Sequence, residues 1–158
     1  MALRYIRKIG DPILYKKAKY VDKIDDHVIM ILDDMAETMY NADGVGLAAN
    51  QIGILRRLVV VDVGDGLIEL INPEIILEEG EQIGKEGCLS VPNVTGEVRR
   101  PKKVRVRYQD RTGEYKEIEG EDFLARALSH EIDHLNGILF VNKAIRIIND
   151  EEEKMEAE

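Results

Sequence analysis

Two histidines, His130 and His134, lie four residues apart, and a glutamate, Glu131, directly follows the first. On an α-helix, residues at this spacing share one face, so both imidazoles can bind a single metal ion. Glu131 then faces the same cavity and can act as a base on an attacking water molecule. The pattern predicts a metal-dependent hydrolytic site, with chance occurrence as the alternative.

The residues around the histidines favour an α-helix over residues 121–135, because this stretch contains good helix formers and neither proline nor glycine. At about 100° per residue, both histidines share a stripe with Phe123 and Ala127, which are expected to line a pocket beside the metal. Glu131 falls on the adjacent apolar stripe. Three residues fall on the outer side of the helix: Arg126, Ser129 and Asp133.

A catalytic metal usually has three protein ligands and one open position, and the helix supplies only two. The stretch that ends at Gly137 matches the start of the metzincin signature, but Phe140 stands where that signature needs its third histidine. No histidine follows His134, and a downstream glutamate ligand would have to come from the acidic end of the chain. The third ligand is therefore expected upstream.

Cys88 is the only thiol in the chain and the remaining candidate for that ligand. Gly87 precedes it and Pro92, which disfavours a continuous strand, follows it, so the sequence predicts a shaped loop here. A lone buried cysteine is more often structural. Because the two-histidine site lacks one ligand, Cys88 is nevertheless predicted to bind the metal.

Composition indicates one globular domain, since the 158 residues are 44% hydrophobic and 34% charged. The net charge of −9 argues against broad nucleic-acid binding. Part of this charge lies in an acidic C-terminal tail, expected over residues 149–158 after a catalytic domain over residues 1–148. No apolar run is long enough for a membrane span, no signal-peptide core is evident, and a single cysteine fits a reducing cytoplasm.

The remaining elements predict an α+β fold with antiparallel or mixed sheets. Helices are expected over residues 12–17 and 25–41, and His27 is expected at the surface. Strands are expected over residues 58–63, 67–71, 74–81, 103–109 and 114–119, with Asn72 and Pro73 breaking the second from the third.

The segment over residues 44–53 is rich in small residues and allows two interpretations. It can be a helix cap and a turn into a strand. Alternatively, its small residues let a substrate backbone approach closely while Gln51 presents a side-chain amide. It matches neither a phosphate loop nor a dinucleotide fingerprint.

Taken together, three ordered motifs resemble those of peptide deformylases: Gly44-Val45-Gly46-Leu47-Ala48-Ala49-Asn50-Gln51, Glu86-Gly87-Cys88-Leu89-Ser90 and His130-Glu131-Ile132-Asp133-His134. The resemblance covers nearly the whole chain. It implies an α+β fold with sheets around a central metal-binding helix. It also implies removal of the formyl group from the N-terminal formylmethionine of nascent polypeptides, with release of formate.

The resemblance assigns roles to individual residues. It implies that Cys88, His130 and His134 ligate the metal, while Glu131 moves a proton from water to the leaving amine. The backbone N–H of Leu89 and the amide of Gln51 would hold the oxyanion. Other positions would bind the substrate main chain or surround the methionine side chain: Val45, Gly46, Glu86, Gly87, Phe123 and Ala127.

The same resemblance implies a metal and a cellular setting. The metal would be Fe²⁺, one per chain, which Ni²⁺, Co²⁺ or Zn²⁺ can replace. The partners would be N-formylmethionyl nascent peptides at the ribosome in the cytoplasm, with no sequence-specific nucleic-acid binding and no membrane. Two alternatives stay open: a thermolysin-like peptidase with a third His or Glu ligand, and a non-catalytic module with a closed structural metal site.

Overall fold

The computed structural model describes residues 2–149, and this part of the chain contains two α-helices and eight strands. The α-helices are α1 (Asp26–Asn41) and α2 (Asp122–Leu135). The strands are β1 (Gly46–Ala48), β2 (Leu58–Val61), β3 (Ile68–Glu79), β4 (Gln82–Cys88), β5 (Val91–Arg100), β6 (Lys103–Gln109), β7 (Tyr115–Glu121) and β8 (Ala144–Asn149). Short 3-10 helices span Pro12–Tyr15, Ala49–Ile52 and Phe140–Asn142.

The strands form two sheets. A five-stranded sheet has the order β1-β2-β3-β6-β7, and a three-stranded sheet has the order β4-β5-β8. Every pairing between these strands is antiparallel. The prediction of an α+β fold with antiparallel sheets is therefore confirmed.

Helix α1 begins where the side chain of Asp25 accepts a hydrogen bond of 3.0 Å from the backbone N–H of Val28. This contact satisfies one of the unpaired donors at the helix start. The apolar side of α1 packs against β1 and β2. His27, in the first turn, is exposed as expected, and the predicted helix over residues 25–41 is confirmed.

Helix α2 packs its apolar side against the five-stranded sheet, and the core there is aliphatic. The helix contributes Ala125, Leu128, Ile132 and Leu135, and the sheet contributes Val59, Val61, Leu70, Val104 and Val106. The predicted helix over residues 121–135 is confirmed. After α2 the backbone turns at Gly137, whose φ of +76° favours glycine.

The expectation that one side of α2 faces outward is wrong. Arg126 and Ser129 are only 5% and 4% exposed. The guanidinium of Arg126 donates to the backbone carbonyls of Gly84 in β4 and Val98 in β5. These two strands were not predicted from the sequence, and they cover the side of the helix that the periodicity assigned to solvent.

Two other local predictions need correction. Strand β3 continues through Asn72 and Pro73, because a register shift and a φ of +53° at Asn72 absorb the irregularity. The side chain of Asn72 also bonds both the backbone N–H and the C=O of Val21. The first helix is a single 3-10 turn, Pro12–Tyr15, and ends before Lys17.

Strand β8 was not predicted, and it ends at Asn149. The acidic residues 150–158, predicted to form a tail, lie outside the described residues. Within residues 2–149, no helix combines the length and the apolarity needed to cross a membrane.

Replacing Gly137 by alanine is expected to destabilise the protein by roughly 3 kcal/mol, because the change combines backbone strain with a backbone clash. A Cβ at this position would lie 2.5 Å from the carbonyl oxygen of Tyr15. Gly113→Ala is the matched control, since Gly113 has a φ of +87° but only an ordinary contact at 3.8 Å. It should cost roughly 1–2 kcal/mol. Urea unfolding of both variants checks this, and equal losses would contradict it.

Candidate active site

Cys88, His130 and His134 come together where the end of β4 meets α2. The Nε2 atoms of the two histidines are 3.3 Å apart. The Sγ atom of Cys88 lies 3.3 Å from Nε2 of His134. One ligand atom from each residue lies within 4.8 Å of the others. Both histidines are buried, whereas Cys88 is partly exposed and lines a cleft.

These separations fit a tetrahedral metal site. With metal–nitrogen bonds of about 2.0–2.1 Å and a metal–sulfur bond of about 2.3 Å, two nitrogens lie roughly 3.3 Å apart and nitrogen and sulfur roughly 3.6 Å apart. The observed distances of 3.3 Å are close to both values. Two imidazoles and a thiolate are ligands typical of divalent transition metals. The residues therefore fit a metal ion held by three side chains.

The ring of His130 is oriented by Glu86, because Nδ1 lies 2.8 Å from Oε1 of that carboxylate. A proton on Nδ1 donated to Glu86 leaves the lone pair of Nε2 directed at Cys88 and His134. Carboxylates commonly fix metal-ligating histidines in this way. Glu86 thus fixes the orientation of the His130 ring.

The charge of Glu86 is compensated by two buried arginines. Arg100 donates two hydrogen bonds of 2.8 Å to its carboxylate, and Arg126 donates one of 2.6 Å. Arg100 also pairs with Asp133 of α2 at 2.6 Å. Burial favours the neutral acid, but the bonds from Arg100 and His130 outweigh it and hold the pKa of Glu86 well below its usual range. Glu86 is therefore ionised, and both of its carboxylate oxygens accept hydrogen bonds.

Sequence reasoning missed both arginines. Arg126 was assigned to the outer side of α2, and Arg100 lies in a strand that was not predicted. A usable signal was Glu86, two residues before the proposed thiol ligand, because a buried carboxylate requires positively charged partners. The prediction placed Glu86 beside the substrate instead, and the structure does bring it to the wall of a pocket.

Glu131 also lines the cleft, with its Oε2 4.0 Å from Nε2 of His130. It is 4% exposed, and within the described residues its Oε1 has no hydrogen-bond partner. Burial raises the pKa of Glu131 to about 7, although the neighbouring His130 opposes the rise. Gly46 of β1 packs against this carboxylate so closely that a Cβ there would collide with Oε2. The carboxylate is thus confined, and it is suited to exchange a proton near neutral pH.

A cleft of about 370 Å³ opens in front of Cys88. One wall is formed by residues 43–46 and the other by residues 91–95. The second wall exists because Glu86 pairs with Gly96 while Cys88 pairs with Val91, so β5 bulges away from β4 between these pairs. Pro92 lies in this bulge, which explains why a proline is tolerated inside β5.

A smaller apolar pocket of about 150 Å³ adjoins the cleft. Val45 and Phe123 form its outer rim and are 41% and 53% exposed, whereas Ala127 is buried. As the helical periodicity predicted, Phe123 and Ala127 lie in the pocket beside His130. The other predicted residues around it are Glu86 and Gly87.

The remaining predicted residues also lie at the cleft. Gln51, Leu89 and Gly46 line it, and Nε2 of Gln51 is 3.5 Å from Sγ of Cys88. His134 lies behind the cleft and is fully buried. The structure thus brings all the predicted site residues to one region, formed by β1, the Ala49–Ile52 turn, the β4–β5 hairpin and α2.

Comparison with known proteins gives a consistent family relationship. The family model described as polypeptide deformylase matches residues 3–150. A peptide deformylase of Thermoanaerobacter pseudethanolicus is 70% identical over 154 residues, covering 98% of this chain and 97% of that protein. One from Caldanaerobacter subterraneus subsp. tengcongensis is 73% identical over 152 residues and covers 96% of each. The crystal structure of peptide deformylase from Thermotoga maritima superposes with a TM-score of 0.88 at 46% identity, covering 90% of this chain and 97% of that one.

Replacing Glu86 by glutamine should destabilise the metal-free protein by about 3–5 kcal/mol at neutral pH, because it leaves two buried guanidiniums without their shared anion. The pKa of Glu86 is lower in the folded state than its ordinary 4.5. Its contribution is therefore complete above pH 4.5 and decreases as the pH falls below that value. Unfolding of both proteins by denaturant at several pH values measures the difference.

Glu119→Gln is the control, since Glu119 pairs with Arg105 at the surface. That change should alter stability little at any pH. A Glu86→Gln variant as stable as the wild type at neutral pH would contradict the account of the buried charges.

Proposed function

The chain belongs to the peptide deformylase family, and from this premise we propose how its residues perform the family's reaction. The reaction is hydrolysis of the formyl group at the N-terminus of nascent polypeptides. The observation that carries the proposal is the convergence of a Cys–His–His donor set with the confined carboxylate of Glu131 at one cleft.

We infer that Cys88, His130 and His134 hold one divalent metal, so α2 is the metal-binding helix at the centre of the fold. Fe²⁺ is the proposed native ion, with Ni²⁺, Co²⁺ or Zn²⁺ as substitutes. When bound, such an ion polarises the formyl oxygen and makes water a nucleophile near neutral pH. The mixed nitrogen and sulfur donors support a transition metal over Mg²⁺ or Ca²⁺, which prefer oxygen ligands.

Glu131 is proposed as the proton carrier. Its carboxylate takes a proton from the attacking water and delivers it to the amine that leaves. Two features support this role: the lack of a hydrogen-bond partner for Oε1 within residues 2–149, and a pKa raised to about 7 by burial. A carboxyl group with this pKa can both accept and release a proton near neutral pH.

When water attacks the formyl carbon, negative charge develops on the formyl oxygen, and this oxyanion is proposed to accept hydrogen bonds from the backbone N–H of Leu89 and the side-chain amide of Gln51. Both residues line the cleft next to Cys88. Loss of one such donor typically lowers kcat by about 10²–10³-fold.

The substrate main chain is proposed to bind in an extended form along Val45, Gly46 and Gly87. Gly46 belongs to β1, which lies at the edge of the five-stranded sheet, and such an edge is where an extended peptide can add as a further strand. The methionine side chain is proposed to enter the apolar pocket between Val45 and Phe123, with Ala127 and the aliphatic part of Glu86 behind it. An apolar pocket of this kind favours a long, unbranched side chain.

The proposed setting is the cytoplasm, where the enzyme acts on nascent chains at the ribosome. The net charge of −9 supports the absence of sequence-specific nucleic-acid binding. The catalytic domain is proposed to cover residues 1–148, with residues 149–158 as an acidic extension.

Glu131→Gln should lower kcat for formyl-Met-Ala-Ser by about 10²–10⁴-fold while the metal content stays at one per chain, because the change removes the proton carrier but no ligand. The assay is run without oxygen on protein loaded with Fe²⁺ or Ni²⁺, and metal content is measured in parallel. Full activity in this variant would contradict the role of Glu131.

Cys88→Ala should lose both metal and activity, because it removes one of three ligands. The loss of metal affinity should exceed the roughly 10–100-fold that follows changes outside the ligand set. Retention of full metal content and turnover would show that the thiol is not a ligand.

Phe123→Ala should lower kcat/KM for a formyl-Met peptide by about fivefold to tenfold, since one wall of the pocket no longer contacts the methionine side chain. A formyl-Ala peptide should be affected much less, because its side chain does not reach that wall. The folded protein should keep its stability, because Phe123 is 53% exposed. An equal loss for both peptides would argue against the assigned pocket.

A further inference from the structure

The side-chain amide of Gln51 is held in one orientation. Gln51 is 1% exposed, and its Oε1 accepts a hydrogen bond of 3.0 Å from the backbone N–H of Ala48. Because a backbone N–H can only donate, the atom facing Ala48 must be the oxygen. The NH₂ group therefore points away from Ala48, toward the β4–β5 hairpin.

Two groups of that hairpin accept hydrogen bonds from the NH₂ group. The hydroxyl oxygen of Ser90, which is fully buried, lies 3.1 Å from Nε2 of Gln51. The Sγ atom of Cys88 lies 3.5 Å from the same nitrogen. Sulfur is the weaker acceptor. The amide thus makes its stronger hydrogen bond to Ser90. Its second N–H points to the reacting centre, where the weak hydrogen bond to sulfur can be replaced by one to a stronger acceptor.

The backbone around these residues is fixed by the N-terminal segment. The N–H of Arg7 donates to the carbonyl of Gln51 at 2.6 Å, and the N–H of Ile9 donates to the carbonyl of Ser90 at 2.7 Å. Arg7 and Ile9 belong to one short segment, so these two hydrogen bonds tether the backbones of Gln51 and Ser90 to each other through the N-terminal segment.

We propose that Ser90 is a positioning residue for deformylation: its hydroxyl accepts one N–H of Gln51 and so aims the other N–H at the oxyanion. The inference rests on the proposed function, in which Gln51 is an oxyanion donor. Without the hydroxyl, one buried N–H of Gln51 loses its acceptor. The present orientation of the amide is then less stable, and rotation away from the reacting centre is favoured.

A purely structural role for Ser90 makes a different prediction. If the hydroxyl only satisfies a buried amide, its removal lowers stability and leaves catalysis by the folded enzyme unchanged. If it aims the amide, its removal lowers kcat only while Gln51 is present. The two roles are separated by combining the two substitutions.

The experiment compares Ser90→Ala, Gln51→Ala and the double variant, each loaded with Ni²⁺ and assayed on formyl-Met-Ala-Ser. Ser90→Ala should lower kcat by about tenfold or more, but by less than Gln51→Ala, and should change KM by less than about threefold. In the Gln51→Ala background, Ser90→Ala should change kcat by less than about twofold. Equal losses in both backgrounds, or no loss in either, would overturn the proposal.

Ser129→Ala is the matched control. Ser129 is the other serine of the chain, it is 4% exposed, and its Oγ has no hydrogen-bond partner in the described region. Its removal should leave kcat unchanged. A loss equal to that of Ser90→Ala would show that truncating any buried serine perturbs the enzyme, and would overturn the specific role.

A second measurement does not depend on turnover. Hydrogen exchange of the Gln51 side-chain amide is followed by NMR in the metal-free protein, with the signal assigned by its loss in Gln51→Ala. Ser90→Ala should speed this exchange by about tenfold. Unchanged exchange would refute the contact. An inactive wild type would instead refute the proposed function while this measurement still tests the contact.

Discussion

The site depends on one buried interaction: the carboxylate of Glu86 bridges His130 of α2 and the guanidiniums of Arg100 and Arg126. Glu86 is separated from Cys88 by a single residue, so the same contact that anchors β4 to the helix brings the thiol to the histidine pair. With Asp133 as a second acid, two carboxylates face two guanidiniums, and the buried charges balance. An uncompensated charge at this depth would be costly, which fixes the pairing of hairpin and helix.

The two sides of the cleft are formed by different elements. The β4–β5 hairpin carries the thiol of Cys88 and one side of the cleft, and its bulge over residues 91–95 opens the space in front of the thiol. Strand β1 and the following turn carry the other side, with Gly46 against Glu131 and Gln51 beside Cys88. The aliphatic core under α2 holds these parts rigidly, because close-packed interiors deform little.

The features that depend on local residue patterns could be predicted from the sequence. The 3.6-residue periodicity located both long helices and placed Phe123 and Ala127 in the pocket, and the three motifs identified the residues that converge at the cleft. The strands whose formation depends on pairing with distant segments could not be predicted. Strands β4, β5 and β8 contain glycines, a proline and charged residues that weaken a local strand signal, and their pairing comes from distant partners. Because this second sheet was missing, Arg126 and Ser129 were assigned to the surface.

The central claim is that Cys88 completes a three-residue cage with the histidine pair and leaves one position open. X-ray absorption on the Zn²⁺-loaded protein tests it most directly, because sulfur and nitrogen neighbours differ in distance and scattering. The account predicts one sulfur at about 2.3 Å and lighter ligands at about 2.0–2.1 Å. In Cys88→Ala, with enough excess Zn²⁺ added to occupy the weakened site, the sulfur should be absent. A shell of nitrogen and oxygen alone, or an unchanged shell in that variant, would contradict it.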